Sequence, residues 1–157
     1  MGAVYPTVLL LHSWVRWAVL ILLVVVVFRA WQGRTGFGAW LPLDERLHTV
    51  LVSVVDLQLL IGVLLYGASP FARAFVGDLG TNIHNRELRF FGLEHVTMML
   101  IAVALVHVGR ARSKAVTDER LRFRRVFAWT LAALIGVLSS IPWPFFPVAR
   151  PLFRFGF

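Results

Sequence analysis

Of the five histidines in the chain, four (His12, His48, His95 and His107) fall within or at the ends of strongly apolar stretches. Polar side chains are costly in hydrocarbon, so each one found there is a candidate for function. Their polar company is short: Ser13 and Arg16 follow His12, Asp56 and Gln58 stand in the second stretch, and Glu94 precedes His95. Imidazole is a common metal ligand. A haem b held between helices takes an axial imidazole on each face, an apolar slot, and cationic or hydrogen-bonding groups for its propionates. Cysteine is absent, which excludes disulfides, thiolate-held iron–sulfur clusters and covalent haem attachment through a C-x-x-C-H sequence. Any redox centre must be held by other side chains.

The elements that would position these residues follow from composition. The chain has 157 residues, 59% of them hydrophobic and 15% charged, against about 25% charged in soluble domains. Its apolar residues gather into four runs, 8–28, 49–67, 90–109 and 126–146. Each has roughly the 20 residues that a helix needs to cross a bilayer. The runs are continuous rather than alternating, which favours helices over barrel strands. The expected fold is all-α: one domain, 1–157, built as a four-helix transmembrane up-down bundle.

A net charge of +8 does not imply nucleic acid, because the basic residues sit between apolar runs and form no basic stripe. Ten of the sixteen lie in the connections 29–48 and 110–125. By the positive-inside rule both termini then lie outside the cytoplasm. The first run lacks a basic leader region and reads as a retained span. The connection 68–89 holds a short interfacial helix around Phe71–Phe75, and the Pro- and Arg-rich tail 147–157 forms an outer-surface cap.

Depth then pairs the histidines. The first and third spans run in the same direction, so His12 and His95, near their starts, face each other below the outer surface. His48 and His107 are level near the inner one. His12 and His95 are the first choice as axial ligands to one haem b, with Arg16 and Arg89 for its propionates and Gly92 easing the approach of a macrocycle. Met98 and Met99 add polarizable packing. His48 and His107 form a second candidate site, but a twelve-residue gap turns residue 107 about 120° from residue 95 and about 18 Å along the helix. Asp56 and Gln58 are candidates for quinone contact or a proton path. The plainer alternatives are that each histidine only bonds a neighbouring helix, that Arg16 snorkels outward, and that Asp56 pairs with Arg16 or His12.

The ordered set Leu11-His12-Ser13-Trp14-Val15-Arg16-Trp17, Asp56-Leu57-Gln58-Leu59-Leu60-Ile61-Gly62 leading to Tyr66, Arg89-Phe90-Phe91 with Glu94-His95 and Met98-Met99, and Ile141-Pro142-Trp143-Pro144 resembles a family of small bacterial four-span membrane proteins described as cytochrome B-like. The resemblance covers nearly the whole chain. It implies haem b, electron transfer, a multi-pass place in the bacterial inner membrane, and ligation by His12 and His95. The chain also looks like the broader group of four-helix diheme b cytochromes that exchange electrons with quinones, although the spacing of 95 and 107 departs from their pattern. Such a protein is an electron carrier or an oxidoreductase subunit rather than a stand-alone enzyme. The competing expectation is an accessory subunit of a larger respiratory or photosynthetic complex, with no haem or with a chlorophyll-type pigment on one histidine.

Overall fold

Proline and polar caps punctuate the chain between its apolar runs. Pro42 occupies the first turn of a helix, where its missing N–H costs nothing. The nearby Asp44 carboxylate accepts the Leu41 N–H at 2.9 Å and holds Arg29 bidentately at 3.0 Å per contact. Ser69 caps the Ala72 N–H just before Pro70, and Asp118 caps the Leu121 N–H at 2.6 Å. Each satisfies a helix-start donor that would otherwise lack a partner.

The resulting elements, in a computed structural model that describes residues 4–154, are all helical. They are α1 (Val4–Arg34), α2 (Pro42–Ala68), α3 (Pro70–Gly77), α4 (Leu79–Asn82), α5 (Arg86–Arg89), a π-helical turn (Phe90–Glu94), α6 (His95–Lys114) and α7 (Glu119–Ser140). Residues 1–3, and 155–157 of the expected tail, lie outside the described residues. Three stretches, Val4–Arg34, Pro42–Ala68 and Arg86–Lys114, are helices long and apolar enough to cross a membrane. Large apolar side chains such as Ile21, Phe28, Leu60 and Leu64 point outward. An exposed apolar surface of this extent suits lipid rather than water.

The helix boundaries differ from the apolar runs in a consistent way. α1 runs further at both ends than 8–28 and stops only before Gly36 and Gly38, whose φ values of 93° and 131° suit glycine alone. α7 begins well before residue 126, so Arg120, Arg122, Arg124 and Arg125 belong to its first turns rather than to a loop. It ends at Ser140 instead of 146, because Pro142 and Pro144 cannot donate to the helix. The expected interfacial helix around Phe71–Phe75 is present as α3.

α6 packs along α7, α7 along α1, and α1 along α2, whereas α2 and α6 touch sparingly. Leu23, Leu51, Val106, Phe123 and Ala133 are buried at the centre. At the end of the bundle where α1 finishes, Gly33 admits the Phe123 ring: a Cβ on Gly33 would come within 2.2 Å of that ring. Replacing Gly33→Ala must therefore displace a buried aromatic, with an expected loss of about 1–3 kcal/mol. Tryptophan fluorescence during SDS titration in mixed micelles measures it, and an unchanged midpoint would contradict this packing.

Candidate cofactor site

The last carbonyls of α7 would normally accept from the N–H groups four residues on. For Leu138 and Ser140 those residues are Pro142 and Pro144, which have none. Both carbonyls are instead taken by side chains. Trp143 donates its indole N–H to Leu138 O at 2.8 Å, and His95 Nδ1 lies 2.9 Å from Ser140 O. A carbonyl only accepts, so Nδ1 of His95 carries the proton and Nε2 keeps its lone pair. This is the arrangement that orients a ligating histidine.

The approach to His95 is equally specific. Its backbone N–H bonds back to Phe90 O, five residues earlier, closing the π-helical turn. Such single wide turns cluster at functional sites. Tyr66 of α2 donates its hydroxyl to Gly92 O at 2.9 Å, tying that turn to the neighbouring helix.

Facing His95 from α1 is His12, with ring centroids 6.3 Å apart and planes at 70°. Two imidazoles on opposite sides of one metal, at about 2 Å per metal–nitrogen bond, have centroids about 6 Å apart. Gln58 holds His12, its amide nitrogen 3.0 Å from the His12 carbonyl and 3.2 Å from its Nε2. His12 Nδ1 and Gln58 Oε1 are both buried without a hydrogen-bond partner. Gly62 leaves room for the ring: a Cβ there would sit 3.3 Å from His12 Cε1.

Both histidines line a cleft of about 300 Å³ walled by apolar side chains that include Val19, Val55, Leu59, Met99 and Val103. One end of it is cationic, with Arg16, Arg150 and Arg154 on its lining. The tail closes this end. Arg16 donates to Leu152 O at 2.6 Å, Trp17 to the same carbonyl at 3.2 Å, and Trp14 to Arg154 O at 3.1 Å. Phe153 stacks on Trp17 at 5.0 Å, while Arg150 pairs with Glu87 and lies over the Phe91 ring. Arg16 Nε is buried with no acceptor. A hollow of about 530 Å³ between Asn85, Arg86, Glu87 and the tail is shallow, and no histidine lines it.

The remaining candidates are dispersed. Arg89 does not line the cleft: it bonds Glu94 at 2.6 Å and Ile83 O at 3.0 Å, so the expected propionate partner is engaged elsewhere. The small size of Gly92 serves α3 instead of a macrocycle, since a Cβ there would meet Phe75 at about 2.4 Å. His48 is 1% exposed, with Nε2 unpartnered. His107 is half exposed and bonds Asp56 of α2 at 2.7 Å, so Asp56 pairs with neither Arg16 nor His12. His48 and His107 make no ring contact among the described residues. Gln58 and Asp56 also part company, Gln58 lining the cleft and Asp56 lying outside it. Composition gave no sign of Gly62, Tyr66, Arg150 or Arg154. The first two sit in a stretch quoted for the family resemblance, and the arginines in the tail expected to be a cap.

No protein-family model matches the chain, and no curated protein or solved structure matches it either.

Arg150 joins the tail to α5 and the π-helical turn, and that role has a direct measure. Changing Arg150→Met keeps the bulk and removes the ion pair with Glu87. Amide exchange over residues 142–154 is expected to accelerate at least about tenfold. Unaltered exchange would show that the tail is held by Trp14, Arg16 and Trp17 alone.

Proposed function

We propose that the chain is a membrane-bound b-type cytochrome, an electron carrier or carrier subunit in which His12 and His95 ligate one haem b. The observation that carries the reading is the pair of imidazoles meeting from α1 and α6 inside an apolar cleft, one of them with its tautomer fixed by Ser140. Two imidazoles fill only two coordination positions, and no group of three or more His, Cys, Asp or Glu gathers for a bare metal ion among the described residues. A porphyrin, which brings its own equatorial nitrogens, suits that donor set. The sequence resemblance to cytochrome B-like proteins points the same way.

A bound haem supplies one-electron redox chemistry. The chain's own part is to hold and tune it. Ser140 would fix the His95 ring, and Gln58 would hold α1 through the His12 backbone carbonyl, its contact with His12 Nε2 giving way where that nitrogen takes the iron. Arg16, Arg150 and Arg154, which line the cleft as Arg89 does not, would offset the propionate charges. The apolar walls limit water and so bear on the redox potential. Electron exchange with a quinone remains part of this proposal, with Gln58 the candidate contact beside the haem; Asp56, paired with His107 outside the cleft, is no longer one. A second haem between His48 and His107 is not part of this proposal, since His48 is buried, His107 is half exposed, and the two rings make no contact among the described residues.

In this reading α7 is the fourth span, both termini lie on the outer side of a bacterial inner membrane, and the arginines of α6 and α7 lie at the cytoplasmic surface. The alternative of an accessory subunit with a His-ligated pigment asks for one imidazole per pigment. Two rings in one cleft favour haem.

Spectra of the purified protein, dithionite-reduced against oxidised, test this. Soret and α bands of a b-type haem are expected, and His12→Ala and His95→Ala are each expected to lower their amplitude at least about tenfold while helical circular dichroism is unchanged. Full absorbance in either variant removes that histidine from the ligand pair, and a wild type without haem bands contradicts the reading.

A further inference from the structure

Near the middle of α2, Asp56 faces outward, and His107 of α6 meets it with Nε2 2.7 Å from Oδ1. The two side chains are 49% and 46% exposed, and neither lines the cleft. Leu57, Leu60, Leu100 and Ile101, all outward-facing, lie near them on the same two helices. In a bilayer, a polar pair left against acyl chains forgoes hydrogen bonds that lipid cannot supply.

The proton inventory of this pair defines what would cover it. Hydrocarbon favours zero net charge, which leaves two protons distributed over the carboxyl and the imidazole. One is shared between Nε2 and Oδ1, whichever atom formally bears it. The other stays on Nδ1, and Oδ2 bears none. Each neutral pair thus retains one donor, on Nδ1, and one acceptor, on Oδ2, at opposite ends of the Nε2–Oδ1 contact. That combination complements a copy of itself turned through a two-fold axis, because each copy's donor then faces the other's acceptor.

We propose that the α2–α6 seam is the contact surface of an isologous dimer, in which His107 Nδ1 donates to Asp56 Oδ2 of a second copy. The seam is the sparsest side of the bundle. Ser53 and Ala104, each one turn from the pair, are exposed small residues that let backbones approach. Val63 of α2 and Leu100 of α6 both line the cleft and remain exposed, which places the cleft mouth on the same side. A second copy would cover that mouth. The inference rests on the bilayer reading and not on haem.

Because the chain has no cysteine, single-cysteine variants of the full-length protein in lipid vesicles give an unambiguous test. Ser53→Cys and Ala104→Cys are expected to form disulfide-linked dimers on mild oxidation. Ile135→Cys, outward on α7, is expected to do so at least tenfold less. The double variant Asp56→Leu, His107→Leu is expected to dimerise at least tenfold more weakly in nanodiscs. The exchange Asp56→His with His107→Asp keeps one donor and one acceptor and is expected to restore dimerisation. A wild type that stays monomeric at every protein-to-lipid ratio overturns the proposal, as it would if a small amphiphile satisfied the pair. Equal cross-linking at residue 135, or undiminished dimerisation of a folded double-leucine variant, also overturns it. If that variant fails to fold, the cysteine comparison decides. Loss of haem absorbance leaves every one of these outcomes unaffected.

Discussion

The hydrogen bond between His95 Nδ1 and the Ser140 carbonyl is the interaction on which the site depends. It exists because two prolines follow the end of α7 and withhold the N–H groups that would otherwise claim the last carbonyls. An unsatisfied carbonyl in apolar surroundings costs on the order of 1–3 kcal/mol, so α7 and His95 each supply what the other lacks. The consequence reaches past stability. With Nδ1 committed as donor, Nε2 is the only ring nitrogen able to accept or ligate, and the ring is held facing His12.

The rest of the bundle's histidine-bearing half follows from keeping a cleft open beside that ring. Gly62 removes bulk next to His12, and the π-helical turn before His95 is tied to α2 by Tyr66. Closure comes from the tail, whose carbonyls are held by Trp14, Arg16 and Trp17 and whose Arg150 reaches Glu87. The opposite half uses charge. Glu45 of α2 holds Arg110 of α6 at 3.1 Å and Arg122 of α7 at 2.9 Å, and Asp44 holds Arg29. α2 and α6 are thus joined by polar contacts towards one end and separated by the cleft towards the other.

Much of this was legible in the sequence, for identifiable reasons. Run length and continuity gave the long helices, and equal depth on two co-directional helices brought His12 against His95. The twelve-residue spacing correctly turned His107 away from His95. What stayed hidden depended on which atoms lack a partner. The role of Pro142 and Pro144 in freeing a carbonyl for His95 needs the tertiary position of α7. The same holds for Arg150 and Arg154, which enter the cleft only because the tail folds back, and for Gly92, whose small size admits Phe75. Asp56 and Gln58 are two residues apart, and on a helix that spacing turns them to different faces.

In the proposed cytochrome two imidazoles, one from α1 and one from α6, bind the same iron. Electron paramagnetic resonance of the oxidised, purified protein at low temperature addresses it most directly. A low-spin ferric signal of bis-imidazole type is expected, lost together with the haem bands when His12 alone becomes alanine. A high-spin wild-type spectrum, or a low-spin signal that survives the loss of His12, would rule out this ligand pair.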